Sequence, residues 1–317
     1  MERLIFILGA TACGKGSVAR EVARRIGGRI VSVDSMKVYR RMDIGTAKPP
    51  PQVRREIPHY CIDVAEPSEH FSVARYVECA DAAVADIRAA GAVPLAVGGT
   101  SLYIKALSEG LFEGPSGDAE IRRRLRSRAE QEGTPALHAE LTQVDPTAAA
   151  RIHPNDRKRI VRALEVYELT GTPISELQRQ WGNRRRYDCL LIGLRREKPD
   201  LHHRINRRAE RMVEAGLVDE VRSLLAEPEG LAPQAAQAVG YAETIEHLQG
   251  RLTLEEATER IKINTRRLAK KQRTWHRRWR DVRWVDIDAD EPCERTADRV
   301  REIILSANEP AGREERT

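Results

Sequence analysis

Apolar residues gather in short unbroken runs at Leu4–Leu8, Arg29–Val33, Ala92–Val97 and Cys189–Leu194. Runs of this length read as strands buried on both faces. Helical spacing of apolar positions fills the intervals, and that alternation predicts an α/β core with a parallel sheet covered by helices. From about Gly114 to Arg186 the pattern changes to Arg, Glu and Ala at helical spacing, broken at Pro135, Pro146, Pro154 and Pro173, with no strand-like run. An inserted all-helical subdomain over 114–186 follows, between core segments 1–113 and 187–307. In that insert Pro154-Asn155-Asp156 reads as a helix entry capped by Asp156 or Asn155. Helical sequence then runs from Pro199 to about Ala226, just ahead of Pro228, and again from about Leu254 to Arg280, followed by a short strand at Arg283–Asp286. Leu268, Trp275 and Trp279 share one face of the long helix, and the tryptophans there read first as core anchors, with base-stacking platforms as the alternative. The polar tail, 308–317, is expected to be disordered. No internal repeat is visible.

The first run leads directly into Gly9-Ala10-Thr11-Ala12-Cys13-Gly14-Lys15-Gly16-Ser17. A strand, a glycine-rich turn and a helix opening near Ser17 would aim backbone N–H groups and the positive helix end at a phosphate, with Lys15 as a point charge. The expected sheet is therefore of the phosphate-loop NTPase type. The usual loop places Ser or Thr immediately after its lysine, and here that position is Gly16. The hydroxyl that ordinarily holds Mg²⁺ is absent, and Ser17 is the neighbouring substitute. The second run ends in Asp34-Ser35 and the third in Gly98-Gly99-Thr100, so three chemistry-bearing segments would meet outside the carboxyl ends of the strands.

Composition narrows the classes further. The chain has 317 residues, 41% hydrophobic, with no apolar run of membrane-spanning length, and its start has no secretory signal pattern. Cys13, Cys61, Cys79, Cys189 and Cys293 are odd in number and scattered, which suits neither a disulfide framework nor a zinc site. Reduced thiols and a cytoplasmic protein are expected. Net charge is +6, and it is concentrated: ten Lys/Arg between Lys262 and Arg283 face one acid, Asp281. Smaller clusters lie at Arg122-Arg123-Arg124 with Arg126 and Arg128, at Arg157-Lys158-Arg159 with Arg162, and at Arg184-Arg185-Arg186. Any one of these could be a solvated helix face. Together, beside a phosphate loop, they point to a polyanion partner such as nucleic acid.

Asp34-Ser35-Met36-Lys37-Val38-Tyr39, followed by Met42-Asp43-Ile44-Gly45-Thr46-Ala47-Lys48-Pro49, resembles the signature of the bacterial tRNA dimethylallyltransferases, the isopentenyl-tRNA transferases. Further blocks resemble that family in its order: Gly98 to Tyr103, Ala150 to Asp156, Arg162 to Val166, Gly216 to Val221, Val239-Gly240-Tyr241 and Lys270 to Trp275. The resemblance spans Leu4 to Trp284. It implies transfer of a dimethylallyl group from dimethylallyl diphosphate to N6 of the adenosine at position 37, 3′ of the tRNA anticodon, with release of diphosphate and Mg²⁺ as cofactor. By the same resemblance Asp34 is the base at N6, Thr100 lies beside the bridging oxygen, and Arg208 neutralises the departing diphosphate, which Gly9, Ala10, Thr11, Ala12, Cys13, Gly14, Lys15 and Gly16 would cradle. The implied tRNA contacts are Asp34, Ser35, Met36, Lys37, Arg122, Lys158, Arg159, Ile160, Val161, Arg162, Gln237, Gly240, Tyr241, Lys270, Lys271, Gln272, Arg273, Trp275 and Arg277. The expected partner is the anticodon stem-loop, bound by a monomer.

The sequence departs from that family pattern at Gly16, where the family has Ser or Thr, at Ala10 for Pro, at Cys13 for Ser and at Lys37 for Gln. Asp34 also admits a second role, as a metal ligand in the manner of an ordinary phosphate-loop NTPase. Other functions stay open at this level: prenyl transfer to free nucleotides, a non-catalytic RNA-binding relative disabled at Gly16, or an ATP-binding hydrolase or kinase.

Overall fold

In the computed structural model, residues 3–110, 114–178 and 186–307 are described. Contacts divide the chain into a core unit, Met1–Ser108 with Tyr187–Thr317, and a second unit, Glu109–Arg186. The expected border at 114 lies slightly inside the second unit. The expected tail at 308–317 and the cluster members Arg184 and Arg185 lie outside the described residues.

The elements run β1 (Leu4–Gly9), α1 (Lys15–Ile26), β2 (Gly28–Val33), α2 (Pro51–Glu56), β3 (His59–Tyr60), α3 (Val73–Ala89), β4 (Val93–Gly98) and α4 (Ser101–Glu109). The second unit contributes α5 (Ala119–Gln131), α6 (Thr134–Val144), α7 (Pro146–Ala149), α8 (Arg157–Thr170) and α9 (Ile174–Leu177). The chain then returns through β5 (Cys189–Arg196), α10 (Lys198–Glu214), α11 (Leu217–Ala226), α12 (Pro233–Ala236), α13 (Tyr241–Leu248), α14 (Leu254–His276), β6 (Val282–Ile287) and α15 (Cys293–Ser306).

The sheet is wholly parallel in the order β3-β2-β4-β1-β5-β6. Every residue of β1 is buried, as its unbroken apolar run requires of a central strand. Register aligns the strand ends: Leu8 and Val33 both pair with Gly98, and Gly9 pairs with Leu194. The loops leaving β1, β2 and β4 therefore start side by side. A Cβ at Gly98 would lie 2.0 Å from the Val33 carbonyl oxygen, so only glycine permits this approach.

Two expectations change and one strand was not foreseen. The helix expected from Pro199 to Ala226 is two helices, because Gly216 between them takes φ +97, a conformation that ends a helix. The long helix ends at His276, not Arg280, since the chain must turn to set Val282 beside Leu191 in the sheet. Strand β3, two residues long at the sheet edge, is too short to leave a periodic signal.

The segment after β2 has little secondary structure and is held by polar anchors. The Lys48 ammonium, its side chain 1% exposed, donates to Asp43 Oδ1 and Asp63 Oδ1, both at 2.6 Å, and to the Tyr39 carbonyl at 2.7 Å. The Glu220 carboxylate, from the first turn of α11, accepts the consecutive amides of Asp43, Ile44 and Gly45 at 2.7–3.2 Å and the Tyr241 hydroxyl at 2.6 Å. Tyr241 is fully buried, and its ring would overlap any Cβ at Gly45.

The second unit is built around its own core, with Leu125, Leu137, Leu141, Ile160, Leu164 and Val166 buried. Asp156 caps α8, its side chain accepting from the Arg159 amide, as one of the two expected caps. Glu165, fully buried in this unit, takes the Arg122 and Arg162 guanidiniums at 2.9 and 2.7 Å and the Asp118 amide at 2.7 Å. Pairing of this kind is what makes a buried carboxylate tolerable.

Replacing Glu220 by Ala leaves three backbone amides and a buried phenol without their acceptor, and the expected cost is about 2 kcal/mol of stability, with a smaller loss for Glu220→Gln. Urea unfolding of the two variants checks this.

Candidate active site

The carboxyl ends of β1, β2 and β4 open into a cavity of about 1740 Å³. Its walls include Thr11, Ala12 and Gly14 to Ser17 from the first loop, Asp34 to Lys37 from the second and Gly98 to Ser101 from the third. Arg204 and Arg208 of α10 and Lys271, Gln272 and Trp275 of α14 complete it. The three segments expected to meet therefore do so in one concave site.

The first loop has the backbone form of an anion-binding turn. Ala12 (φ 64) and Gly14 (φ 99) are both left-handed, and the turn delivers the chain into α1 at Lys15. Such alternation directs successive N–H groups to one side and places a helix N-terminus behind them. Cys13 is buried, its Sγ 2.6 Å from where a Cβ at Gly9 would stand, so a small side chain is what the position requires. The loop's outward carbonyls are tied off by arginines: Arg196 Nε donates to the Cys13 carbonyl at 2.9 Å and Arg204 Nε to that of Ala12 at 3.0 Å. Of the loop amides, that of Thr11 is taken by Gln272 and that of Cys13 by the Ala10 carbonyl at 3.2 Å, while those of Ala12 and Gly14 have no hydrogen-bond partner among the described residues. Neither arginine was singled out from the sequence; the usable signal was the four-residue spacing of Arg204 and Arg208, which puts both on one helix face.

Arg208 itself, half-buried, donates to Thr11 Oγ1 and to the Thr46 carbonyl, each at 3.4 Å. Burial lowers its pKa, and Asp34 opposes that shift. Asp34 Oδ1 accepts the amides of Met36 (3.0 Å) and Lys37 (3.4 Å), a turn that aspartate favours, leaving Oδ2 without a hydrogen-bond partner among the described residues. Thr100 precedes α4, but its Oγ1 accepts the Ser35 amide at 3.1 Å, fixing it to the Asp34 loop and leaving its hydroxyl hydrogen to donate elsewhere. Gln272 spans the first and third loops: its Oε1 accepts the Thr11 amide at 2.8 Å and its Nε2 donates to the Gly99 carbonyl at 3.0 Å.

The residues expected at a tRNA surface divide by burial. Lys158 and Arg159 in the second unit, and Gln237, Lys270, Lys271 and Arg277 in the core unit, are exposed; Ser35, Met36, Lys37, Arg273 and Trp275 are half-buried. Ile160, Val161 and Tyr241 are buried, because their apolar bodies fill the cores of their own units; their side chains are not contact surface. Arg122 and Arg162 are committed to Glu165, and Gln272 to the two loops. The tryptophans are not core anchors either. Trp275 is half-buried at the cavity wall with the Arg278 guanidinium 4.9 Å from its ring centre, and Trp279 lies beyond the helix, stacked on His276.

The donor set fits a loop-anchored Mg²⁺ poorly. Gly16 has no side-chain oxygen to offer, and Ser17 Oγ accepts from Arg20 Nη2 at 3.3 Å. Among the described residues no three His, Cys, Asp or Glu side chains converge as metal ligands.

Lys37 sits among like charges. Desolvation pushes its pKa down to about 8, with Asp34 resisting and Lys15, Arg208 and Arg20 adding to the fall. Below that pH the folded chain carries a charge that costs it stability, and the penalty is relieved as pH rises from about 8 toward the ordinary lysine value, where only the unfolded chain still holds the proton. Lys37→Met is therefore expected to stabilise the protein near pH 7 by on the order of 1–3 kcal/mol, a gain that shrinks by about pH 9.5, read from urea unfolding at the two values.

The IPP transferase family model matches residues 37–279. The chain is 47% identical over 286 residues to a tRNA dimethylallyltransferase of Geobacter metallireducens, spanning 90% of this chain and 92% of that protein. It is 46% identical over 303 residues to one of Symbiobacterium thermophilum, spanning 95% and 94%. Among solved structures, the full-length tRNA isopentenylpyrophosphate transferase of Bacillus halodurans superposes with a TM-score of 0.71 at 40% identity, covering 96% of each chain. A eukaryotic dimethylallyltransferase captured acting on tRNA gives 0.82 at 27% identity, over 99% of this chain and 82% of that one. The phosphate loop and Asp34 precede the matched family segment, yet these relatives cover nine-tenths or more of the chain. With sheet, loop geometry and sequence in agreement, the chain belongs to the IPP transferase family.

Proposed function

We propose that the chain is a tRNA dimethylallyltransferase, moving a dimethylallyl group from dimethylallyl diphosphate to N6 of adenosine 37 beside the anticodon. The observation that carries this reading is the strand register that puts the phosphate loop, Asp34 and Thr100 around one cavity. In the reaction the allylic C–O bond breaks, a C–N bond to N6 forms, an N6 proton leaves, and diphosphate departs with the C–O electron pair. Loop amides, Lys15 and Arg208 stabilise the charge that develops on the diphosphate. The Thr100 hydroxyl donates to the bridging oxygen. An exocyclic amine is a weak nucleophile, and Asp34 Oδ2 orients it and takes its proton.

The reading of tRNA over a free nucleotide is supported by charge. Lys270, Lys271, Arg273 and Arg277 of the long basic helix and its end have no carboxylate partner among the described residues, whereas Lys262 is held by Glu210 and Glu259. A nucleotide acceptor needs neither this surface nor the helical second unit. No described helix is long and apolar enough to cross a membrane, and all five cysteines are free thiols. A cytoplasmic, monomeric enzyme acting on the anticodon stem-loop is the form proposed.

Transfer of labelled dimethylallyl to an unmodified anticodon stem-loop tests the reading. Asp34→Ala is expected to lower kcat by about 10²–10⁴-fold with little change in KM for the diphosphate donor. Absence of transfer by the native chain while the stem-loop still binds would reject the enzyme. Replacing Lys270, Lys271 and Arg273 by Ala is expected to weaken stem-loop binding and to reduce the slope of log affinity against log salt by about two to three.

A further inference from the structure

The position after the loop lysine is where this chain breaks with its own loop pattern, and the structure shows what stands there instead. A Cβ added at Gly16 would meet one atom group, the Arg20 guanidinium, at 3.6 Å. Arg20, one helical turn further along α1, thus flanks position 16 at ordinary contact distance, and its Nη2 donates to Ser17 Oγ, the other candidate metal anchor, at 3.3 Å. Arg20 is half-buried, lines the cavity, and has lost part of its hydration. Lys37 lines the same cavity from the opposite loop, half-buried, with no chain acceptor hydrogen-bonded to its ammonium among the described residues. Lys15 has one weak internal contact, to the Ala10 carbonyl at 3.3 Å. Five acids line the cavity against ten Lys and Arg; Asp43 is spent on Lys48 and Asp200 on Arg196, while Asp34, Glu197 and Asp290 have no ion pair among the described residues. The site holds a surplus of positive charge and lacks the hydroxyl that would fix a divalent ion.

We infer that in this chain Arg20 and Lys37 supply the positive charge that a hydroxyl-anchored Mg²⁺ would otherwise bring, so that the diphosphate group is bound without an obligatory metal. A guanidinium can take two oxygens of a phosphate at once, and an ammonium acts as a compact point charge, so the pair can serve both ends of a diphosphate beside the loop amides. The inference rests on the cavity being a diphosphate site, the reading proposed above.

Inorganic pyrophosphate is the probe, titrated calorimetrically into the full chain in EDTA and in excess Mg²⁺. The native chain is expected to bind within about threefold under the two conditions, and Arg20→Gln with Lys37→Gln to lose at least about tenfold in EDTA, roughly one strong charge-assisted contact. Lys37→Gln alone is the second variant, expected to lose part of that affinity, and unfolding curves establish that both variants are folded. A native preference for Mg²⁺ above about tenfold would overturn the inference while leaving the diphosphate site intact. Unchanged affinity in both folded variants would overturn it as well, by showing that these cations do not touch the anion. Failure of the native chain to bind pyrophosphate under either condition would remove the diphosphate site itself, and the inference with it.

Discussion

The active site depends on a missing side chain at Gly98. Because nothing projects there, the end of β4 lies against the Val33 carbonyl on one side and pairs with Leu8 on the other, and three loops leave the sheet from nearly one point. Parallel strands make this convergence useful, since all three chains exit in the same direction. Backbone approach alone fixes the loops' origins, not their shapes. The shapes come from three side chains: Gln272, reaching in from α14, holds the first loop to the third; Thr100, of the third loop, holds it to the second; and Glu220, reaching in from α11, gathers the amides of the segment that follows the second.

Much of this was legible in the sequence. The five longer strands and the phosphate loop are local signals, written in consecutive residues, and the helical insert announces itself by an absence of strand-like runs. What escaped was set by distance along the chain. Glu220 lies far in sequence from the amides it collects, and Arg196 and Arg204 likewise from the loop they brace, and no spacing rule links such pairs. Tyr241 and Ile160 illustrate a different failure. They sit in blocks whose resemblance suggested a binding surface, but the folded chain uses them as apolar filling, so a block can mark a contact region through its backbone and its polar members alone.

Burial also reorders the cations. Arg122 and Arg162 look identical to Lys158 and Arg159 in a count of positive charge, but the buried Glu165 takes the first two and leaves the others to solvent. The helical unit therefore spends part of its apparent basic character on its own stability. In the core unit the division runs along α14, where Lys262 is neutralised and the residues from Lys270 onward are not. Net charge states how many cations a chain has; the partner of each one decides whether it is structural or available.

Crowding Lys15, Arg20, Lys37, Arg204 and Arg208 around one cavity has a consequence for the protein as a cellular object. Their mutual repulsion is a standing load on the ligand-free chain, and any polyanion that fills the cavity removes it, so binding and folding are thermodynamically linked. On the function proposed, the supply of prenyl donor would then govern more than the rate of modification. It shifts the balance between intact and unravelled copies, and with it how many molecules escape proteolysis, so a cell starved of donor would hold less of the enzyme without any change in its synthesis.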